Sequence, residues 1–196
     1  LFGNNKITFR VSYYFGDFAI LFLPIFWIKK KYGLTKQALG FKKENKSMMD
    51  YAFMGIATAI IFCLLIKLTP LGENPGNYEI KRSFTLMNFI LVPISIGGFV
   101  RIVLTPIAEE AMDRGFFYGY LRGKIGVIAG LFLQACIFSL LHFSLFYENF
   151  FQGFTFRFLI GLILGILYER TGSLYPGIFC HGMVNYILVI FIALKI

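Results

Sequence analysis

The residues best suited to chemistry in this sequence are one charged cluster and two histidines. The charged cluster lies within a single apolar stretch and comprises Glu109, Glu110, Asp113 and Arg114. The histidines are His142 and His181, and Asn185 follows the second one by four residues. A charged group inside a bilayer costs at least about 2.5–3.5 kcal/mol on insertion scales, so those that remain usually face the protein interior and serve function.

Helical spacing sorts these groups by face. Residues four apart lie on nearly the same side of a helix, whereas adjacent residues point about 100° apart. Glu110 and Arg114 are therefore placed to pair, which leaves Glu109 on another face where it can point into a cavity. His181 and Asn185 also share a face. Since each of these helices has one polar face, we expect the polar faces to meet at a common central site.

These groups suit the attack of water on an acyl carbon. A glutamate can take a proton from water, and one imidazole can hold that water. A second imidazole and an amide N–H can donate to the oxyanion that develops on the carbonyl. The same set, Glu109, His142 and His181, could instead bind zinc with an open water position. The chain has no HExxH helix, and the sequence favours no cofactor, with zinc as the alternative.

The composition predicts a membrane protein. Of its 196 residues, 58% are hydrophobic, 19% are aromatic and only 15% are charged, and the mean hydropathy is +0.72. The hydrophobic share is higher, and the charged share lower, than in an ordinary water-soluble domain. Cys63, Cys136 and Cys180 all lie in apolar stretches, which argues against a disulfide scaffold or a cysteine-rich zinc module.

The net charge of +9 does not indicate a nucleic-acid partner. Much of the positive charge forms a block next to the first apolar segment, namely Lys29, Lys30, Lys31, Lys36, Lys42, Lys43 and Lys46. A basic block in that place predicts a cytoplasmic loop that faces membrane lipid.

A spanning helix needs about 20 mainly apolar residues, and this rule gives seven candidates. They are Phe9–Ile28, Asp50–Thr69, Leu86–Thr105, Pro106–Arg122, Ile125–Tyr147, Phe154–Glu169 and Tyr175–Leu194. The fourth and sixth are short. We therefore expect an all-α, polytopic bundle that forms one integral-membrane domain over residues 1–196. Three pairs of glycines one turn apart predict close helix packing: Gly115 with Gly119, Gly126 with Gly130, and Gly161 with Gly165.

Three ordered motifs resemble those of one family. The segment from Glu109 to Arg114 is similar to an EExxxR motif, Phe138 to His142 to an FxxxH motif, and His181 to Asn185 to an HxxxN motif. This set resembles the CPBP family, which comprises the CAAX prenyl proteases and the bacteriocin-processing or bacteriocin-immunity (Abi) proteins. The resemblance covers a core of about 105–185.

The resemblance implies an intramembrane endopeptidase with an all-α fold of about eight spans. By position, Glu109 would activate water and His142 would help to bind it. His181 and Asn185 would form the oxyanion hole. The family was first described as metalloproteases, whereas its structural work favours a glutamate-type mechanism without metal.

The resemblance also implies that Glu110 and Arg114 mainly hold the geometry of the site. Where the family commonly has an aromatic residue before the arginine, this chain has Asp113. That carboxylate could repel the charge of Glu109, or it could pair with Arg114 and loosen the Glu110 contact.

The expected partners are a peptide or membrane-protein substrate and membrane lipid, with no nucleic acid. Frequent Lys, Asn, Ile and Phe suggest an AT-rich bacterial genome, and hence the bacterial cytoplasmic membrane. The alternative function is a non-catalytic membrane protein that gives immunity by binding or shielding a bacteriocin target. A transporter would be expected to show two matching halves with broken helices, and no such repeat is visible.

Overall fold

A computed structural model describes Phe22 and residues 25–33, 35–44, 46–69, 96–142 and 150–194, which form helices joined by short connections and contain no strand. The helices are α1 (25–32), α2 (Met48–Lys67), α3 (96–125), α4 (Val127–Leu141), α5 (Phe150–Thr171) and α6 (Tyr175–Leu194). The all-α fold is confirmed for these residues.

Two of the described helices, α2 and α5, are long and apolar enough to cross a membrane. Val127–Leu141 and Tyr175–Ile190 are shorter apolar helices. Most of the first predicted span and residues 86–95 of the third lie outside the described residues, as do residues 143–147 of the fifth. The count of seven spans therefore stays a prediction.

The helix ends follow local sequence signals. Ser47 caps α2 through a capping box, in which its Oγ accepts from the Asp50 N–H (3.2 Å) and Asp50 Oδ2 accepts from the Ser47 N–H (2.8 Å). Gly126, with φ 84°, separates α3 from α4, and Gly172, with φ 62°, ends α5. Both glycines hold a left-handed conformation that other residues adopt only at a cost.

Helix α3 corrects the predicted chain division. The sequence predicts separate spans over Leu86–Thr105 and Pro106–Arg122, but the chain is helical throughout 96–125. Two π-helical stretches, Val100–Leu104 and Ala111–Tyr118, lie within this run. The predicted break at the proline is wrong because the π-helical geometry and a neighbouring helix together accommodate it.

The accommodation of Pro106 can be traced through the backbone. The Thr105 N–H donates to the Val100 carbonyl, five residues back, as in a π-helix. In that register the next N–H would reach the Arg101 carbonyl, but proline has no N–H to give. Asn185 of α6 supplies the missing donor, since its Nδ2 lies 3.1 Å from the Arg101 carbonyl oxygen. A polar side chain of another helix thus satisfies the carbonyl that the proline leaves open.

The prediction that the sixth span is short is also wrong. Helix α5 covers Phe150–Thr171, 22 residues, rather than Phe154–Glu169. The four residues missed at its start include Gln152 and Gly153, and those missed at its end are Arg170 and Thr171; these residues interrupt the apolar pattern without ending the helix.

The glycine pairs differ in what they do. A Cβ on Gly161 would lie 3.2 Å from the Ala135 Cα, and one on Gly165 would lie 2.7 Å from the Leu131 side chain, so this pair lets α5 approach α4 closely. The predicted packing role of Gly126 is wrong, because that residue ends a helix and has no atom within 4 Å of an added Cβ.

The buried core lies between α2, α4, α5 and α6. Helix α2 packs mainly on α6, and α4 mainly on α5. The core residues are Ala59, Phe62, Cys63, Phe138, Ile160, Leu164, Cys180 and Val184. Large apolar side chains such as Phe53, Leu64, Ile128 and Phe132 remain exposed on α2 and α4, as expected of helices that face lipid.

Residues 35–44 fold back onto the turn between α5 and α6. The Gly40 carbonyl accepts from the Leu174 N–H (2.9 Å), and the Lys42 carbonyl accepts from the Ser173 hydroxyl (2.7 Å). Leu39 is buried, and its carbonyl oxygen contacts Gly115 of α3. Part of the lysine-rich block is thus anchored to the helices that carry the polar residues.

Candidate active site

Three helices bring one carboxylate and both imidazoles together. Glu109 comes from α3, His142 follows the last turn of α4, and His181 lies in α6. Glu109 Oε2 is 3.3 Å from His142 Nε2 and 3.6 Å from His181 Nε2. The side chains of Glu109 and His142 are 21% and 33% exposed, whereas that of His181 is 7% exposed. The site is therefore closed at His181 and open at His142.

Each ring is oriented by a hydrogen bond at its other nitrogen. His142 Nδ1 lies 2.8 Å from the Phe138 carbonyl oxygen, and His181 Nδ1 lies 3.0 Å from Glu110 Oε1. A carbonyl and an ionised carboxylate can only accept, so these partners assign the proton of each ring to Nδ1. A neutral ring then presents an unprotonated Nε2 towards Glu109. A group that donates hydrogen bonds, such as water, satisfies acceptors that converge in this way.

The two Nδ1 partners differ in charge, and this separates the two rings chemically. The partner of His142 is a neutral backbone carbonyl, and this bond leaves Nε2 facing Glu109. The partner of His181 is the carboxylate of Glu110, a charged acceptor that holds the ring more strongly than a carbonyl does. His142 is thus suited to hold water, and His181 is suited to stabilise negative charge.

Glu110 and Arg114 form a buried ion pair. Arg114 Nη1 lies 3.1 Å from Glu110 Oε1, and the two side chains are 0% and 1% exposed, respectively. Arg114 Nη2 donates to the Gly161 carbonyl of α5 (3.2 Å). Because Glu110 Oε1 also accepts from His181, the guanidinium fixes the carboxylate that orients this histidine.

Asp113 joins the ion pair without displacing it. Its Oδ2 lies 3.3 Å from Arg114 Nη1, the same nitrogen that contacts Glu110. Of the two alternatives that the sequence leaves open, Asp113 pairs with the arginine while the Glu110 contact is retained. The cluster therefore combines three carboxyl groups with one guanidinium.

Phe138 packs against three of the polar groups. Its ring lies 4.6 Å from the Arg114 guanidinium carbon, 4.2 Å from the His142 ring and 5.9 Å, edge to face, from the His181 ring. The side chain is buried. One aromatic side chain thus sets the spacing between the arginine and both imidazoles.

Asn185 lies one helical turn beyond His181, where its amide donates to the Arg101 carbonyl. Among the described residues it makes no hydrogen bond to Glu109 or to either histidine. Its Nδ2 carries two hydrogens, so the bond to Arg101 orients the amide and leaves a second N–H. The oxyanion role of Asn185 stays a prediction.

Two contributors were missed by the sequence reasoning. Gln134 of α4 is 1% exposed, and its Nε2 donates to the same Gly161 carbonyl as Arg114 (2.9 Å). A lone glutamine in an apolar helix is the signal that could have identified it. Gly177 of α6 leaves space for Glu110, since an added Cβ would lie 2.9 Å from Glu110 Oε2.

We expect Gly177→Ala to disturb the site. The added methyl forces Glu110 to move, and overpacking of this kind costs about 1–3 kcal/mol. The matched control is Gly123→Ala, because an added Cβ there has no atom within 4 Å. The unfolding temperature and the rate of peptide cleavage should both fall in Gly177→Ala and stay near the parent values in Gly123→Ala. Equal behaviour of the two variants would contradict this account of Glu110.

No group of three or more His, Cys, Asp or Glu side chains in the described part of the chain is arranged to hold a metal ion. Its three cysteines are free thiols.

The fold and the site together define a helical membrane protein with a glutamate–histidine centre. Residues 84–187 match the family model described as type II CAAX prenyl endopeptidase Rce1-like, and the chain belongs to this family. The predicted membership of the CAAX protease group is confirmed, and it implies an intramembrane protease. Comparisons with curated proteins and with solved structures gave no match.

Proposed function

We propose that this protein is an endopeptidase of the bacterial cytoplasmic membrane that cleaves a peptide or membrane-protein substrate with water activated by Glu109, without a metal. The observation that supports it best is the position of Glu109 Oε2, 3.3 Å and 3.6 Å from the Nε2 atoms of His142 and His181. The base and the imidazole are in direct contact, so that one water molecule bound beside the pair can reach both.

Glu109 is a better candidate for the base than Glu110. Glu110 Oε1 already accepts from both Arg114 and His181, and the residue is 1% exposed. Glu109 has no cation within its own helix turn and remains partly accessible. Glu110 is thus held by a permanent cation, whereas Glu109 contacts only the two imidazoles and is more exposed, so it can exchange protons with a bound water.

The proposed reaction begins with the water donating one hydrogen bond to Glu109 and one to His142 Nε2. Glu109 takes a proton as the oxygen attacks the scissile carbonyl carbon. The oxyanion that forms accepts from His181 Nε2–H and from the second N–H of Asn185. Glu109 then returns its proton to the departing nitrogen as the C–N bond breaks, so that one water is consumed and a carboxylic acid and an amine are released.

The proposal is tested with purified protein in lipid nanodiscs and an internally quenched peptide that ends in a CAAX sequence. The peptide is supplied with and without a prenyl group, because the family description names prenyl substrates. Cleavage of either form supports the peptidase. If the folded protein cleaved neither form, the result would contradict the peptidase proposal and favour the non-catalytic immunity function. The ratio of the two rates shows whether the prenyl group contributes to recognition.

A zinc-dependent peptidase is the second candidate. It is favoured by the Nδ1 contacts, since metal-binding histidines usually donate their other N–H to a carbonyl or a carboxylate. Glu109, His142 and His181 would be the ligands, although in the described structure they contact one another and are not arranged around an ion; the metal would polarise the water. Activity that persists after treatment with a strong chelator supports the glutamate mechanism. Activity that is lost, and that zinc alone restores, would overturn it.

A further inference from the structure

The carbonyl of Gly161 connects three helices. It accepts from Arg114 Nη2 of α3 at 3.2 Å and from Gln134 Nε2 of α4 at 2.9 Å. Gln134 Nε2 also donates to the Leu131 carbonyl in its own helix (3.1 Å). The glutamine amide thus shares the oxygen that holds the guanidinium and links this oxygen to α4.

Burying a glutamine side chain in this place costs folding free energy, and this cost suggests that the residue has a role. Gln134 is 1% exposed, and its Oε1 has no hydrogen-bond partner among the described residues. A buried polar atom without a partner destabilises the protein, and an apolar side chain of the same shape would avoid that cost. The neighbouring helix makes room for the amide, since a Cβ on Gly165 would lie 2.8 Å from Gln134 Nε2.

The contacts continue from this carbonyl to the candidate active site. Arg114 Nη1 contacts Glu110 Oε1 at 3.1 Å, and the same oxygen accepts from His181 Nδ1 at 3.0 Å. His181 Nε2 faces Glu109 Oε2 at 3.6 Å. A change at the Gly161 carbonyl can therefore reach His181 through two buried ionised groups. His142 is oriented by another partner, the Phe138 carbonyl.

We propose that Gln134 is a positioning residue: by fixing the Gly161 carbonyl it aligns Arg114, and through Glu110 it sets the orientation of His181. The predicted effect on catalysis rests on the proposed peptidase function. The effect on the His181 ring does not, so the two can fail separately.

The first test is ring-nitrogen NMR of protein with isotope-labelled histidine. The chain has only two histidines, so each ring can be assigned by substituting the other. Gln134→Met keeps the length of the side chain and removes the amide. It should shift the ring signals of His181 more strongly than those of His142, because His142 is held by the Phe138 carbonyl and not by Glu110. Gln134→Leu, which also removes both donor hydrogens and adds no charge, should do the same and covers the case in which the first variant does not fold.

The matched control is Tyr118→Phe. Tyr118 is fully buried and links α3 to α5 through its hydroxyl, which donates to Glu169 Oε2 at 2.9 Å. This variant also loses one buried hydrogen bond between helices, but it lies outside the chain of contacts that leads to His181. It should leave both histidine spectra unchanged. Unchanged His181 signals in folded Gln134 variants, or equal shifts in the control, would overturn the proposal.

The second test is a double-mutant cycle on peptide cleavage. Gln134→Met should lower kcat by up to roughly tenfold, the lower end of the range for an outer-shell partner, because its effect passes through the Gly161 carbonyl, Arg114 and Glu110; KM should change little. In an Arg114→Lys background the same substitution should have almost no further effect, because its action passes through the arginine. Independent effects on kcat in the two backgrounds would contradict a role that acts through Arg114.

Discussion

Glu109→Gln should reduce peptide cleavage by about 10²–10⁴-fold, the contribution typical of a general base. The amide keeps the size of the side chain and can still contact the two imidazoles, but it cannot take a proton from water. The measurement is kcat/KM on the quenched peptide in nanodiscs, together with the thermal unfolding of the variant. We expect the unfolding temperature to stay close to that of the parent, since Glu109 is not part of the buried ion pair.

The matched control for this variant is Glu169→Gln. Glu169 is also a carboxylate in a membrane helix, but it contacts Tyr118 and Arg122 rather than the histidines. It should retain cleavage within a few fold of the parent. If Glu109→Gln cleaved the peptide as fast as the parent, the role of Glu109 as the base would be refuted. If cells that produce the Glu109→Gln variant kept full immunity to a bacteriocin, the non-catalytic function would be favoured.

Arg114→Met should destabilise the protein by about 3–5 kcal/mol, the cost of breaking a buried ion pair from one side. Arg114 is fully buried, and its loss leaves the Glu110 carboxylate without its cation. Methionine fills a similar volume and isolates the effect of charge. Denaturant unfolding in detergent micelles measures the change, and cleavage should also fall because Glu110 no longer holds His181.

Arg122→Met is the comparison for this prediction. Arg122 pairs with Glu169 at 3.0 Å, but its side chain is 54% exposed. Exposed pairs contribute about 0–1 kcal/mol, so this variant should lose little stability. Similar losses in the two variants would show that the Arg114 pair does not behave as a buried one.

The helix ends show how far sequence signals determine the fold. Helix α6 covers the predicted span Tyr175–Leu194 because its start follows a clear turn at Thr171–Gly172–Ser173. The predicted end of the third span at Thr105 failed for a physical reason. Proline normally breaks a helix, and here Asn185, distant in sequence, completes the hydrogen bonding of the Arg101 carbonyl. A contact between distant helices cannot be read from the local sequence.

The candidate active site also combines features that the local sequence determines with features that depend on contacts between distant helices. Motif spacing identified the acid and the two histidines that meet at Glu109 Oε2, because spacing on a helix determines which residues share a face. The difference between the two rings depends on tertiary contacts, with Phe138 O beside His142 and Glu110 beside His181. Gln134 belongs to no motif, and its link to Arg114 exists only because α4 and α5 approach at Gly161.

Ring-nitrogen NMR of the two labelled histidines in the resting protein tests the central claim most directly. The account predicts a proton on Nδ1 of both rings, a bare Nε2 on His142, and a shift of both Nε2 signals in Glu109→Gln. An unprotonated Nδ1 on either ring would contradict this arrangement. Nε2 signals that do not change in Glu109→Gln would contradict the convergence of His142 and His181 on one oxygen of Glu109.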